Sequence, residues 1–287
     1  MLDSRSLDAM PNFIRTSDNV ALFYRDWGAG KPLLFLHGWA LNSQMWAYQM
    51  LPLSSQGFRC IAYDRRAHGR SSDPGRGFDY DTLADDLAAI LEALDLSDVT
   101  LIAHSFASGE TVRYLTRHGD DRIARLLLVS PAAIPYLTKT ADNPIGIDPA
   151  MIEQLRAPIL RDFPGWCEAG AEAYFAGSAK RAVADWTIRT MTEASMLAVA
   201  ALNRTQFATD FRPELPRIAV PTLIVHGDCD ASAPIDLTGR PAAAQIPGAR
   251  LEVYEGGPHG LYFTHQERLV ADIARFATAD AATARQG

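Results

Sequence analysis

A chain of 287 residues, 48% of them hydrophobic, is long enough to bury a substantial core as one large α/β domain or two small ones. Its net charge of −7 comes from interspersed acids and bases without a basic block, which excludes an electrostatic footprint for nucleic acid and disfavours adhesion to anionic membranes. The acidic, polar start "MLDSRSLDAM" has no signal-peptide pattern, the apolar run "PLLFLHGWA" is too short to span a bilayer, and Cys60, Cys167 and Cys229 have neither disulfide nor zinc-ligand spacing.

After a polar leader, "NFIRTSDNVALFYRDWG" predicts two strands around a Ser-Asp-Asn turn, and "PLLFLHG" a third, apolar strand. The elements then alternate: strand "CIAYD", helix "DTLADDLAAILEALDL", strand "VTLIAH", helix "FASGETVRYLTRH" and strand "RIARLLLVS". In the first of these helices Leu83, Leu87, Ile90, Leu91 and Leu94 fall on one face at steps of three and four. Such alternation implies parallel strands joined by right-handed helical crossovers.

Between about Pro131 and Pro216 the pattern becomes helical, in "PAMIEQLRAPILRDF", "WCEAGAEAYFAG" and "RAVADWTIRTMTEASMLAVAALNRTQF". The division expected is therefore a core over residues 1–131 and 216–287, with a helical cap over 132–215. The α/β pattern resumes with strand "PTLIVHG", a helical segment after "SAPIDLTG", strand "RLEVYEG" and a final helix carrying Leu269, Val270, Ile273 and Phe276. The tail "ATADAATARQG" is expected to fray.

In an open parallel sheet the ligand site lies at the carboxyl ends of the strands. Ser105 follows "VTLIA" and precedes a helix, the context of a nucleophile elbow, in which the residues two before and two after the serine must be small; they are Ala103 and Ala107. A serine hydroxyl needs a general base, which in turn needs an orienting carboxylate. His259 in "EGGPHG" follows strand "RLEVY", and "VHGDCDASAP" supplies Asp228 and Asp230, in the chain order Ser, Asp, His. Asp230 is the expected acid, with Asp228 stabilising the loop. The main-chain N–H groups of Trp39, in "FLHGWA", and Phe106 are the expected oxyanion-hole donors, which leaves both side chains to line the substrate pocket.

Among other candidates, His104 is expected to point away from the site and His37 to bond backbone in its own loop. His68, His118 and His265 lack the mutual spacing of a metal site. The aromatics Trp166, Tyr174, Phe175, Trp186 and Phe207 suggest an apolar inner face to the cap, without indicating which of them meet the serine. "NRT" at Asn203 matches a glycosylation sequon and is read as incidental.

With these residues in place, the chain resembles the α/β-hydrolase fold family over most of its length, and more narrowly the bacterial arylesterases grouped with cofactor-free haloperoxidases and perhydrolases. The resemblance rests on "YRDWGAGKPLLFLHGW", "MWAYQMLPLSSQGFRCIAYDRRAHGRSS", "YDTLADDLAAILEALDL", "VTLIAHS", "TDFRPELPRIAVPTLIVHGDCDASAP" and "YEGGPHGLYFTH". It implies a mostly parallel central sheet flanked by helices, with Ser105 as nucleophile, Asp230 as acid, His259 as base, and Trp39 and Phe106 at the oxyanion hole. Ala67, Ala103, Ala107 and Ser108 stand where that group usually has glycine, and Ala40 where many relatives have proline, a residue that helps position peroxide.

The function these readings predict is hydrolysis of a small to medium, largely apolar carboxylic ester or lactone through an acyl-enzyme on Ser105. No cofactor and no metal are expected. A small-molecule substrate is the expected partner, a homo-oligomer remains open, and the expected compartment is the cytoplasm. The alternatives are cleavage of a carbon–carbon bond or another specialised acyl bond by the same triad, perhydrolase or haloperoxidase chemistry as a side activity, and a non-catalytic ligand-binding protein.

Overall fold

Hydrophobic side chains alternate between the two faces of the central strands, and this alternation builds two separate cores. Leu34, Leu36, Leu101 and Ala103 belong to one, Leu33, Phe35 and Ile102 to the other. A computed structural model describes residues 12–279. Its strands are β1 (Phe13–Arg15), β2 (Ala21–Trp27), β3 (Lys31–Leu36), β4 (Phe58–Tyr63), β5 (Val99–His104), β6 (Ile123–Val129), β7 (Thr222–Gly227) and β8 (Arg250–Tyr254). They form an 8-stranded sheet in the order β1-β2-β4-β3-β5-β6-β7-β8. The β1–β2 and β2–β4 pairs are antiparallel and the rest are parallel. Strands β5 and β7 are buried along their whole length because helices cover both faces, which is why they read as continuous apolar runs.

The core helices are α1 (Ala47–Ser55), α2 (Tyr80–Ala93) and α3 (Ala107–His118). Asp79 caps α2 by accepting from Thr82 N at 2.9 Å, and Leu83, Leu87, Ile90 and Leu91 are buried along one stripe. Gly119, at φ 85°, ends α3. Helix α1 follows a 3-10 turn over Ser43–Trp46; the sequence reading gave no element there, and Pro52 inside α1 interrupts the usual helical signal.

Four further helices lie between β6 and β7: α4 (Pro149–Arg161), α5 (Phe163–Tyr174), α6 (Arg181–Thr192) and α7 (Met196–Ala208). The segment read as one helical stretch over 181–207 is broken at Glu193–Ser195. There Glu193 accepts from Asn42 Nδ2 at 3.0 Å and Ser195 N donates to Ala67 O at 2.9 Å, so docking onto the core replaces helix propagation. The last helices are α8 (Gly239–Gln245), α9 (Leu261–Thr264) and α10 (Gln266–Thr278). Helix α10 buries Leu269, Val270, Ile273 and Phe276 and continues to Thr278, past the point where fraying was expected; the tail from residue 280 and the polar leader before Asn12 lie outside the described residues. No helix among the described residues is long and apolar enough to cross a membrane.

Candidate functional site

Parallel strands β3, β5 and β7 all end at one edge of the sheet, and the loops that follow them, with the loop after β8, carry the polar residues of the site. The chain turns between β5 and α3 at Ser105, whose φ of 56° is a left-handed value that side-chain-bearing residues rarely adopt. Ser105 N donates to Val129 O at 3.0 Å, and the Ser105 carbonyl accepts from Ser108 N at 3.0 Å and Ser108 Oγ at 2.7 Å. These bonds hold the turn against the strain of its backbone. Ala103 and Ala107 are both fully buried beside it, so the sharp turn forms with a methyl at each flanking position.

Ser105 Oγ lies 2.9 Å from His259 Nε2, and His259 Nδ1 lies 2.8 Å from Asp230 Oδ2. An ionised carboxylate only accepts, so Nδ1 carries the proton and Nε2 presents its lone pair to the serine hydroxyl. Asp230 is fixed from every side: Ser232 N and Ala233 N donate to Oδ1 at 2.9 and 2.7 Å. Burial alone would favour the neutral acid, but the electrostatic attraction and hydrogen bonds of His259 and His226 outweigh it and hold the carboxyl well below its ordinary range. Asp228 is exposed and accepts from Gly256 N at 2.7 Å, bracing the loop without reaching the site.

The reading of the sequence missed His226. Its Nε2 lies 2.9 Å from Ala233 O, an acceptor only, and 3.1 Å from Asp230 Oδ2, so the same N–H serves both and Asp230 takes a second imidazole donor. The available signal was the i, i+4 placement of His226 and Asp230 across the end of β7.

The expectation for His104 requires correction. Its ring packs 4.8 Å from that of His259 and lines the cavity, held there because its Nε2–H donates to the His259 carbonyl at 3.1 Å. Burial pushes its pKa down to about 3, so it stays neutral beside His259. Gly38 makes this packing feasible, since a Cβ there would stand 2.6 Å from His104 Nδ1. His37 bonds backbone as expected: Nδ1–H donates to Gly38 O at 2.8 Å, and Nε2 accepts from Arg65 N at 2.9 Å.

The main-chain N–H groups of Trp39 and Phe106 have no acceptor among the described residues. The Trp39 side chain lines the cavity and is anchored by Nε1 donating to Val199 O of α7 at 3.1 Å. The Phe106 side chain does not line it: the ring is buried, stacked on Tyr80 at 4.9 Å with the Arg65 guanidinium 5.0 Å from its centre. Core packing claims that ring and leaves only its backbone for the site.

Above Ser105 is a cavity of about 370 Å³, walled by the loops of the sheet and by α4–α7. Of the aromatics singled out between β6 and β7, Trp166, Tyr174, Phe175 and Phe207 line it, whereas Trp186 packs edge-on against Tyr48 elsewhere. Tyr174 meets the His259 ring edge-on at 5.3 Å, and Gly260 N donates to the Tyr174 carbonyl at 2.8 Å, tying α5 to the histidine loop. Cys167 lines the cavity as a buried thiol pushed up to about 12, and Cys60 is buried in the core. Asn203 is buried on the cavity wall, where no glycan fits.

The sequence profile of the alpha/beta hydrolase fold family matches residues 31–266. The chain is 39% identical to a non-heme chloroperoxidase of Kitasatospora aureofaciens over 91% of its own length and 97% of that protein. It is 34% identical to a bifunctional esterase/perhydrolase of Acinetobacter calcoaceticus over 92% of its own length and 98% of that protein. Among solved structures, an esterase from Exiguobacterium antarcticum superimposes with a TM-score of 0.90 at 30% identity, over 94% of this chain and 100% of the other.

Proposed function

The chain belongs to the alpha/beta hydrolase fold family and is a hydrolytic enzyme, and on that premise we propose that it cleaves carboxylic esters or lactones of small to medium size through an acyl-enzyme on Ser105. One observation carries the reading: a continuous chain of hydrogen bonds from Ser105 Oγ through His259 to Asp230, at 2.9 and 2.8 Å, opening into the cavity.

In this proposal Ser105 Oγ attacks the carbonyl carbon as its proton passes to His259 Nε2. Asp230 keeps Nδ1 protonated and stabilises the imidazolium that forms. The carbonyl oxygen becomes an oxyanion, held by the free N–H groups of Trp39 and Phe106, the latter at the start of α3 where the helix dipole adds to the attraction. Collapse expels the alcohol, which takes the proton from His259. Water then attacks the acyl carbon with His259 as base, releasing the acid and restoring the Ser105 hydroxyl.

A second acceptor deserves weight because relatives of this chain bear the names chloroperoxidase and esterase/perhydrolase. Hydrogen peroxide in place of water would release a peracid from the same acyl-enzyme. Position 40 argues for water. Ala40 has a φ of 58°, a value closed to proline, whose ring fixes φ near −65°. A proline at this position could not follow the same backbone path, and peroxide chemistry is proposed as a side reaction only.

The test is steady-state hydrolysis of p-nitrophenyl butyrate. Ser105→Ala is expected to lower kcat by about 10⁴-fold or more while leaving the far-ultraviolet circular dichroism unchanged. Wild-type turnover by that variant would remove the assignment.

A further inference from the structure

Arg156 of α4 is the one permanently charged side chain among the described residues lining the cavity. It is only 5% exposed. Its Nη1 donates to Glu153 Oε1 at 2.6 Å, a carboxylate that is itself largely in solvent, so this pair occupies one edge of the guanidinium and faces outward. Nε, on another edge, is buried and has no acceptor. On α7, which packs against α4, Asn203 is also 5% exposed, and its Oδ1 has no partner. Gln206 lies on the same wall.

A buried donor or acceptor without a partner costs about 1–3 kcal/mol, and an apolar side chain would wall an ester pocket without that cost. We propose that Arg156 and Asn203 form a carboxylate-binding subsite, and that the substrate is an ester or lactone bearing a free carboxylate away from the bond cleaved. This deepens the ester-hydrolase reading and rests on it. The edge of a guanidinium that carries Nε and Nη2 offers two parallel N–H donors matched to the two oxygens of a carboxylate. The Asn203 amide nitrogen, which unlike Oδ1 is not sealed off, adds a third donor. A single guanidinium partly balanced by Glu153 suits a monoanion better than a phosphate dianion. Leu155, Ile159 and Phe207 give the rest of this wall an apolar surface, which leaves Arg156 as the place where a charged substrate group finds a counter-ion.

The experiment compares kcat/KM for two matched pairs on the full chain. Placing the acid on the acyl side, p-nitrophenyl hydrogen glutarate is set against its methyl ester. Placing it on the leaving group, 3-carboxyphenyl butyrate is set against its methyl ester. In at least one pair the free acid is expected to be favoured by about tenfold or more, as a charge-assisted hydrogen bond warrants. Arg156→Met and Asn203→Leu are each expected to bring that ratio down towards one, with Arg156→Lys retaining part of it. A wild-type ratio of one or less in both pairs overturns the subsite whether or not any variant folds, and so does a ratio unmoved in folded Arg156→Met. Ser105→Ala on the capped ester is the separate check: surviving turnover there removes the hydrolase reading, whereas intact Ser105-dependent turnover without acid preference removes the subsite alone.

Discussion

Ser105 at φ 56° and Ala67 at φ 61° both occupy the left-handed region, but the reasons differ. The serine is placed there by the turn that exposes its hydroxyl. Ala67 stands in a loop where glycine would carry no Cβ penalty, and its carbonyl anchors Ser195. Ala67→Gly is accordingly expected to raise stability modestly, by less than about 1 kcal/mol once the added freedom of the unfolded chain is subtracted, as read by urea unfolding. Asp230→Asn should lower kcat on p-nitrophenyl butyrate on the order of 10³–10⁴-fold, because the amide no longer holds His259 in the tautomer that presents a bare Nε2. His226→Leu removes one of several donors to the same carboxylate and should cost roughly tenfold or less by the same assay. Ser105, His259 and Asp230 were legible in the sequence because each follows a recognisable strand. His226 was not, since its role depends on how the loop after β7 folds back on itself.

At the scale of elements, the end of β4, the Gly38–Trp39 loop and helix α3 are joined through Arg65. Its Nη2 donates to the His37 carbonyl at 2.8 Å and its Nε to Glu110 Oε2 at 2.9 Å. Tyr63 OH donates to the other Glu110 oxygen. Both Arg65 and Glu110 are buried, so removing the carboxylate strands a cation away from water. Glu110→Ala should destabilise the fold by about 3–5 kcal/mol, measured by chemical unfolding. Nothing in "DRRAHGRSS" or "SGETV" signals that these two residues pair, because the contact spans 45 positions and depends on strand order. The break between α6 and α7 was hidden for a related reason: local propensity favours a continuous helix, and contacts from Asn42 and Ala67 interrupt it.

Across the whole molecule, the strands and their parallel character follow from the alternation of apolar runs with amphipathic helices, whereas the β4-β3-β5 arrangement is set by packing that no single segment encodes. Three buried histidines give the molecule a shared acid sensitivity. Burial pushes His68 and His104 down to about 3 and His37 well below its ordinary value, so native protein leaves them neutral while the unfolded chain binds protons below about pH 6.5. Proton uptake by the unfolded state makes stability fall with pH. Each histidine should contribute on the order of 1 kcal/mol per pH unit between about pH 6 and pH 4, seen as a drop in the urea midpoint, and His68→Gln should flatten that slope.

Covalent labelling tests the central claim most directly. Treating the full chain with diethyl p-nitrophenyl phosphate and measuring its intact mass should reveal one diethylphosphoryl group per chain, mapped by peptide fragmentation to Ser105 and missing from Ser105→Ala. Label on a different residue, or an unlabelled chain that still hydrolyses p-nitrophenyl butyrate, would contradict it.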